Sequence, residues 1–467
     1  MKLFNKDKKG SKVPLLHTVV EEIGPLDLIA VHQKWAGKEN LFFWRDEADA
    51  FQMVGFGDLK FYEHHRMSQP HYVQLIEKKV AEQTDRSYFD AMVYENGTCV
   101  KKQLWDESMK EELDAEALVF PDYIGAIRIH AQMFDAFNEP TKGDLFYDWP
   151  AEIDFIPNCY VAQNKEKTYL VTNRLYKDMK KLGMFQTELK WQQYRRELMR
   201  ISELELKEDT FELKETTDMS YSTLKDKITA IQALIKQEKV NQLSLARNRH
   251  YYFNHDVDVS AVLQQLLWQH ETGYVFAISH KKGTFLGHSN QSLVKESENC
   301  VSIAYDGMHA SLQATITTDE ERARMQQEQL DWLSDVLARF TDEPSIAMEE
   351  THTRFYGDLK KDASLLHLVS ALHPLPRYGG LPKIDAVGIL RGLEEESRGY
   401  YAAPIGWYTG SNGDFAVAKT SGIIKADEAT LYSSISVSQH TEASAAYKVM
   451  DKALSQLEEA IFNSDKF

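Results

Sequence analysis

LLHLVSALHPLPRYGGLPKIDAVGILRGLEEESRGYYAAPIGWYTGSNGDF, residues 365–415 of a 467-residue chain, carries the elements that order the rest. Leu365, Leu366, Leu368, Val369 and Leu372 recur at helical spacing. Pro374 and Pro376 end that helix, because proline lacks an N–H and restricts the residue before it. Gly379-Gly380 frees the backbone for a tight turn, and Pro382 opens a second helix. An acidic turn from Glu394 ends at Arg398. Tyr400 to Tyr408 reads as a strand, and Pro404 within it predicts an edge or irregular position. Asn412-Gly413 predicts a two-residue hairpin turn before the return strand.

Outward from this stretch, the periodicities predict a mixture of helices and strands. Leu41 to Trp44 and Phe51 to Phe56 form a predicted hairpin around an acidic turn, with Gly55 and Gly57 as turn glycines. Gln69 to Gln83 reads as a helix, and Val119 to His130 and Tyr160 to Val171 as strands. Residues 175–218 are charged and helix-prone, with Trp191, Tyr194, Leu198 and Ile201 on one stripe, and form the seam between two halves. Helices are predicted over Tyr221–Gln237, Val259–His270, Asp319–Phe340 and Thr441–Ile461. Strands are predicted at 243–247, 274–279, 284–287, 415–424 and 430–437. Glu63-His64-His65 is a weak metal candidate, since adjacent strand residues face opposite ways.

Composition bounds the partners. Lys and Arg number 54 against 71 Asp and Glu, a net charge of -17, which disfavours nucleic acid and anionic membranes. A hydrophobic fraction of 43% suffices for one large core or two domains. No apolar run is long enough to span a bilayer and the N-terminus has no signal-like core, so a cytoplasmic location is expected. Cys99, Cys159 and Cys300 are scattered and suit a reducing compartment. No HExxH, P-loop, GxSxG or dinucleotide motif occurs.

His373-Pro374-x-Pro376, Gly379-Gly380, Glu394 through Arg398, Tyr401, Pro404, Gly406-Trp407 and Phe415-Ala416-Val417-Ala418 follow one another without gaps. This run resembles the signature of the chorismate-utilising enzymes, and among them the isochorismate synthases of the menaquinone and siderophore pathways. The likeness is strong over residues 219–462 and weaker before them. It implies an α+β fold, a large two-sheet sandwich with outer helices and two related halves. Here those halves are residues 1–218 and 219–467, the second holding the chorismate site.

Conversion of chorismate to isochorismate adds water at one ring carbon while a hydroxyl leaves another. It needs a general base and a general acid, and cations to hold two carboxylates. The resemblance implies Mg²⁺ on acidic residues together with an arginine. It places the base at Gln242, where the family has lysine, and the acid at Gln291, where the family has glutamate. A neutral amide can hydrogen-bond but cannot exchange a proton near pH 7. His288 is the candidate substitute acid, the alternative being a loop histidine. Glu328 matches one metal-ligating glutamate, and the other aligns with Ala446.

Substrate contacts are expected at Ser289, Gly307, Arg398, Gly406 and Thr420. Thr420 occupies the position of the family's carboxylate-binding arginine. Arg377 offers an alternative clamp. Ser433 to Ser438 replaces a glycine-rich loop, and Asp306 beside Gly307 would oppose an anion. The family's histidine near residue 350 falls on Glu350 or, with a shift, on His352.

Two functional readings follow. One is an isochorismate synthase. The other is a catalytically inactive member, a pseudoenzyme that binds a chorismate-like ligand or a protein partner. Scaffold positions are kept while pocket positions are replaced, which favours the second.

Overall fold

The computed structural model describes residues 15–46, 51–64, 89–95, 98–102, 127–134, 140–164, 167–176, 191–201, 212–305, 319–348, 353–409 and 412–464. The predicted helix at 69–83 lies outside them. All 21 described strands join one hydrogen-bonded network. Their pairings are antiparallel, except that Leu15–Ile23 runs parallel to Phe89–Glu95.

The strand Leu41–Asp46 shows how the sequence builds this sheet. Phe42 and Trp44 enter one apolar core, and Leu41 and Phe43 enter another. Alternation along a strand with both faces covered demands this apolar run. The strand pairs with Phe51–His64 on one edge, as the hairpin reading requires, and with Tyr274–His280 on the other. Arg128–Gln132 likewise joins Glu152–Gln163 to Pro404–Tyr408, and Leu213–Asp218 pairs with Gln242–Phe253. Strands from before and after residue 218 therefore share one sheet.

The sheet closes on its own inner face. Phe51 and Trp407 lie on strands separated by two others, a path of about 14 Å along the sheet. Their rings are 5.8 Å apart. The inner core forms between the layers so produced. Helices Leu28–Trp35, Val259–Gln269 and Ala443–Phe462 cover the second core. Tyr221–Lys236, Asp319–Phe340, Leu365–Leu372 and Lys383–Leu393 contribute to the first. Asp27, Ser220, Asp258 and Ser364 cap their helices by accepting backbone N–H bonds. No described helix is long and apolar enough to cross a membrane.

Four local expectations are corrected. Tyr160–Val171 is two strands, Glu152–Gln163 and Thr168–Tyr176. The turn between them is fixed by Asn164, whose side chain accepts from the Lys167 N–H. The strand expected over 415–424 breaks into Asn412–Val417 and Thr420–Lys425. At Ala418 the backbone bonds to Ala402 and Ala403 instead of continuing. Pro404 begins a strand paired on both sides, so it marks neither an edge nor an irregularity; a first residue needs no ladder N–H. Asn412 and Gly413 already belong to the return strand, and the connection closes one step earlier by the Thr409 N–H to Asn412 O bond. The seam holds a helix at 191–198, with Tyr194 and Leu198 buried.

The signature stretch is anchored at both ends. His373 is buried, and its Nε2–H donates to Phe134 O at 2.9 Å. Burial, with nearby Lys383, pushes its pKa down to about 3. Gly380 adopts φ 140°. A Cβ there would stand 2.4 Å from Gln242 O and 2.8 Å from Ala386 Cβ. Gly380→Ala should therefore destabilise by about 1–3 kcal/mol, measurable by urea unfolding. Stability should also fall with acid. His32 and His373 have folded pKa values of about 4 and about 3, below the ordinary 6.5. The unfolded chain takes up those protons first, so stability is lost as pH drops from about 6.5 toward 4. Unfolding at stepwise pH checks this, and a flat profile would contradict it.

Candidate active site

Gln242 opens the strand Gln242–Phe253 and is 1% exposed. Its Oε1 accepts from Gln329 Nε2 at 3.4 Å, and Gln329 Oε1 accepts from the Tyr305 O–H at 3.2 Å. Gln329 comes from the long helix Asp319–Phe340 and Tyr305 from the end of the strand Cys300–Tyr305. Gln291 follows the strand Gly283–Ser289. Ser289 Oγ holds the turn by accepting from the Gln291 N–H at 3.1 Å. Gln291 Oε1 accepts from the Tyr378 O–H at 2.8 Å and from Arg377 Nη1 at 3.4 Å. The Arg377 guanidinium lies 5.3 Å from the Tyr305 ring centre, which links the two amide groups.

Gln291, Tyr305, Gln329 and Arg377 border a cavity of about 10 Å³. That is room for about one water. Gln242 Nε2 is buried and makes no hydrogen bond, an arrangement that costs about 1–3 kcal/mol. The group as built can donate and accept hydrogen bonds. Neither amide can take up or release a proton near pH 7.

The other expected residues are dispersed. Glu328 is half-buried, and its Oε2 is buried without a hydrogen bond. Ala446 is fully buried and offers no donor atom. Thr420 starts a strand opposite His288. His288 stacks on His270 with ring centres 3.7 Å apart and bonds Thr272 O at 3.0 Å. Burial and then the neighbouring His270 push its pKa down to about 4. Strand alternation turns His288 away from the face carrying Ser289. Gly406 is required by packing, since a Cβ would stand 2.1 Å from Asp414 O. Ser434 and Ser436, in the former glycine-rich run, bond Tyr401 and Arg377 O. Gly307, Asp306, Glu350 and His352 lie outside the described residues. So does His65, while the strand register sets His64 opposite Glu152.

Arg398 is occupied by the fold itself. Its guanidinium donates to Tyr378 O at 2.6 Å, to Ser244 O at 2.5 Å and to both oxygens of Glu394 at 2.6 and 2.8 Å. Glu394 also accepts from the Ala246 N–H at 2.8 Å. Phe134 stacks 4.1 Å from the guanidinium. These bonds make Arg398 a clamp between the turn, the helix end and the strand Gln242–Phe253. Beside it lies a larger cavity of about 360 Å³. Its charges are matched internally, with Arg247 on Asp218, His250 on Glu396 and Lys227 on Glu395.

Sequence reasoning missed Gln329, Tyr305 and Tyr378. Gln329 directly follows Glu328, and Tyr378 follows Arg377, so both were one residue from positions already marked. Removing the clamp leaves Glu394 buried without its cation. Arg398→Ala should cost about 3–5 kcal/mol, read as a shifted denaturation midpoint.

Comparison with known proteins follows the same lines. The family model for "Chorismate binding enzyme" matches residues 100–330 and 347–459. The isochorismate synthase MenF of Bacillus subtilis is 24% identical over 461 residues, covering 92% of this chain and 89% of the relative. The salicylate biosynthesis isochorismate synthase of Pseudomonas aeruginosa is 27% identical over 262 residues, covering 50% of this chain and 54% of the relative. Among solved structures, the menaquinone-specific isochorismate synthase MenF of Escherichia coli superposes with a TM-score of 0.69 at 13% identity, covering 96% of this chain and 95% of that one. A 2,3-dihydroxybenzoate-specific isochorismate synthase, DhbC, of Bacillus anthracis gives 0.58 at 15%, covering 93% and 99%. The fold, the signature stretch and these matches agree that the chain belongs to the chorismate binding enzyme family.

Proposed function

We propose that this chain binds a chorismate-like dicarboxylate without running the acid–base exchange of an isochorismate synthase. The observation that carries this reading is the pair of buried amides, Gln242 and Gln291, where a base and an acid are expected. Loss of one such group lowers a rate by typically 10²–10⁴-fold, and here both are replaced. The free donor on Gln242 Nε2 favours a ligand that brings an acceptor. Arg377 bonds Gln291 Oε1 and would hold a carboxylate. A cavity of about 10 Å³ cannot admit such a ligand, so Tyr305 and Arg377 must move for it to enter. Residues 219–467 form the binding half in this reading, because Gln242, Gln291, Gln329 and Tyr378 all fall there.

Mg²⁺ fits these residues poorly. Glu328 supplies one carboxylate with an unbonded oxygen, and the second position is Ala446. Mg²⁺ takes near-octahedral oxygen coordination and keeps several waters, usually with one or two carboxylates and the substrate's own oxygens. No catalytic step is therefore assigned to the ion.

A second reading is an isochorismate synthase, as in menaquinone biosynthesis. It is favoured by the similarity to the B. subtilis enzyme along 92% of this chain. Calorimetric titration with chorismate, with and without Mg²⁺, followed by chromatography of products, separates the two. The expected outcome is binding with no isochorismate. Mg²⁺-dependent isochorismate formation would overturn the proposal. Absence of binding would turn the search to protein partners. Gln242→Leu should weaken binding about tenfold without affecting the fold, by loss of the amide contact.

A further inference from the structure

The larger cavity beside the Arg398 clamp is distinct from the amide group. Its volume is about 360 Å³, inside the range of small-molecule pockets, roughly 300–1,000 Å³. It lies along the strand Gln242–Phe253 from Ala246 to His250, beyond Gln242. The turn Glu394–Arg398 forms one wall, and the start of the helix Tyr221–Lys236 forms another.

Arg247 borders this cavity with a donor to spare. Its side chain is fully buried. Nε and Nη2 make a two-pronged bond to Asp218, and Nη2 also lies 3.5 Å from Asp451. The Tyr447 ring covers the guanidinium plane, its centre 4.0 Å from Cζ. The corner left over is Nη1, which is buried and makes no hydrogen bond. An unmet buried donor on a charged group is costly, and a ligand oxygen would meet it.

The helix beside it favours the same kind of ligand. Ser220 caps it by accepting from the Thr223 N–H at 3.1 Å, and the first turn holds no acidic residue. The partial positive charge of the helix start is therefore left for an outside anion. Ser220, Thr223 and Lys227 follow at helical spacing and line the cavity together. Asp218, on which Arg247 is forked, lies just before Ser220 and ties the two walls to each other.

The remaining walls limit that anion to a single charge. Asp218, Glu394, Glu395 and Glu396 line the cavity against Lys227, Arg247 and Arg398. Glu394 is held by Arg398 and the Ala246 N–H, and Asp218 by Arg247 and Arg249. Glu396 accepts from Asn248 and meets His250 Nε2 at 2.8 Å. Glu395 is mostly exposed, with Lys227 3.4 Å away. A second negative charge on the ligand would be repelled by these carboxylates. Hydroxyl or ammonium groups would instead find acceptors in them.

We propose that this cavity binds a small monocarboxylate that also carries hydroxyl or ammonium donors. The carboxylate would take Arg247 Nη1 and the start of the helix Tyr221–Lys236, and the donors would take Glu395 and Glu396. This site does not rest on the function proposed for the amide group.

The test titrates the full chain with gluconate and with 6-aminohexanoate by calorimetry, with sorbitol and citrate as controls. At least one of the two probes is expected to bind, the first reporting a hydroxy acid and the second a zwitterion. Sorbitol lacks the carboxylate and citrate carries three, so both should bind at least tenfold more weakly. Arg247→Met should weaken the probe about tenfold or more, the loss of one charged hydrogen bond. Should that variant not fold, Lys227→Glu adds a negative charge to the lining and should weaken the probe similarly. Hydrogen–deuterium exchange of the wild-type protein locates the site without any variant, with protection expected over 217–227 and 246–250. Binding of neither probe, citrate binding as tightly as the probes, unchanged affinity in the folded variant, or protection confined to the turns around Gln291 and Arg377 would overturn the site.

Discussion

The clamp between Arg398, Glu394 and the open edge of the strand Gln242–Phe253 is the constraint on which the site rests. On that edge the strand meets Gly380–Leu381 only at Gln242 and Leu243, and Leu213–Asp218 only from Arg249 onward. Backbone groups between would be orphaned inside the protein, at a cost comparable to lost hydrogen bonds. Glu394 takes the Ala246 N–H, and Arg398 takes Ser244 O. The same guanidinium holds Tyr378 O, and Tyr378 in turn holds Gln291. One buried ion pair thus completes a sheet edge and sets the turn that bears Arg377.

On this scaffold two buried amides, Gln242 and Gln291, are held by hydrogen bonds from neighbouring elements. Glutamine approximates glutamate in shape, so Gln291 still receives the Tyr378 hydroxyl. Its environment has no need to tune a proton affinity, because there is none. Gln242 and Gln329 form a second chain of bonds to Tyr305, which the Arg377 guanidinium joins to the first. A buried network of this kind is stable when satisfied, and Gln242 Nε2 is buried in it without a hydrogen bond. Specific binding and weak catalysis are both consistent with that balance.

The interior of the sheet poses a different electrostatic problem. Placing Glu152 and Asp154 on one face with His130 concentrates negative charge where water is absent. The strand pairings that bring them together also join Arg128–Gln132 to Pro404–Tyr408. Buried polar packing and the union of early and late strands therefore coincide, with the Tyr408 O–H donating to Asp154.

The sequence by itself determined the elements and the family. Helical spacing placed Asp319–Phe340 to the residue, alternation placed the Leu41–Asp46 hairpin, and the His-Pro-x-Pro turn with Glu394 and Arg398 identified the scaffold. Those features are local, or rest on a long ungapped order. That Gln242 and Gln291 are neutral amides was also legible, since it is a matter of residue identity. Tertiary structure decided the roles. Arg398 bonds the Glu394 carboxylate and the carbonyls of Tyr378 and Ser244, partners that only the fold brings to it. His288, read as a candidate substitute acid, owes its stacking on His270 and its bond to Thr272 O to the packing of separate elements. Gln329, Tyr305 and Tyr378 carried no motif, and only packing of a helix, a strand end and a turn made them neighbours. His130, Glu152 and Asp154 met for the same reason. Register between strands is set by long-range burial, and that is not written in any short stretch of sequence.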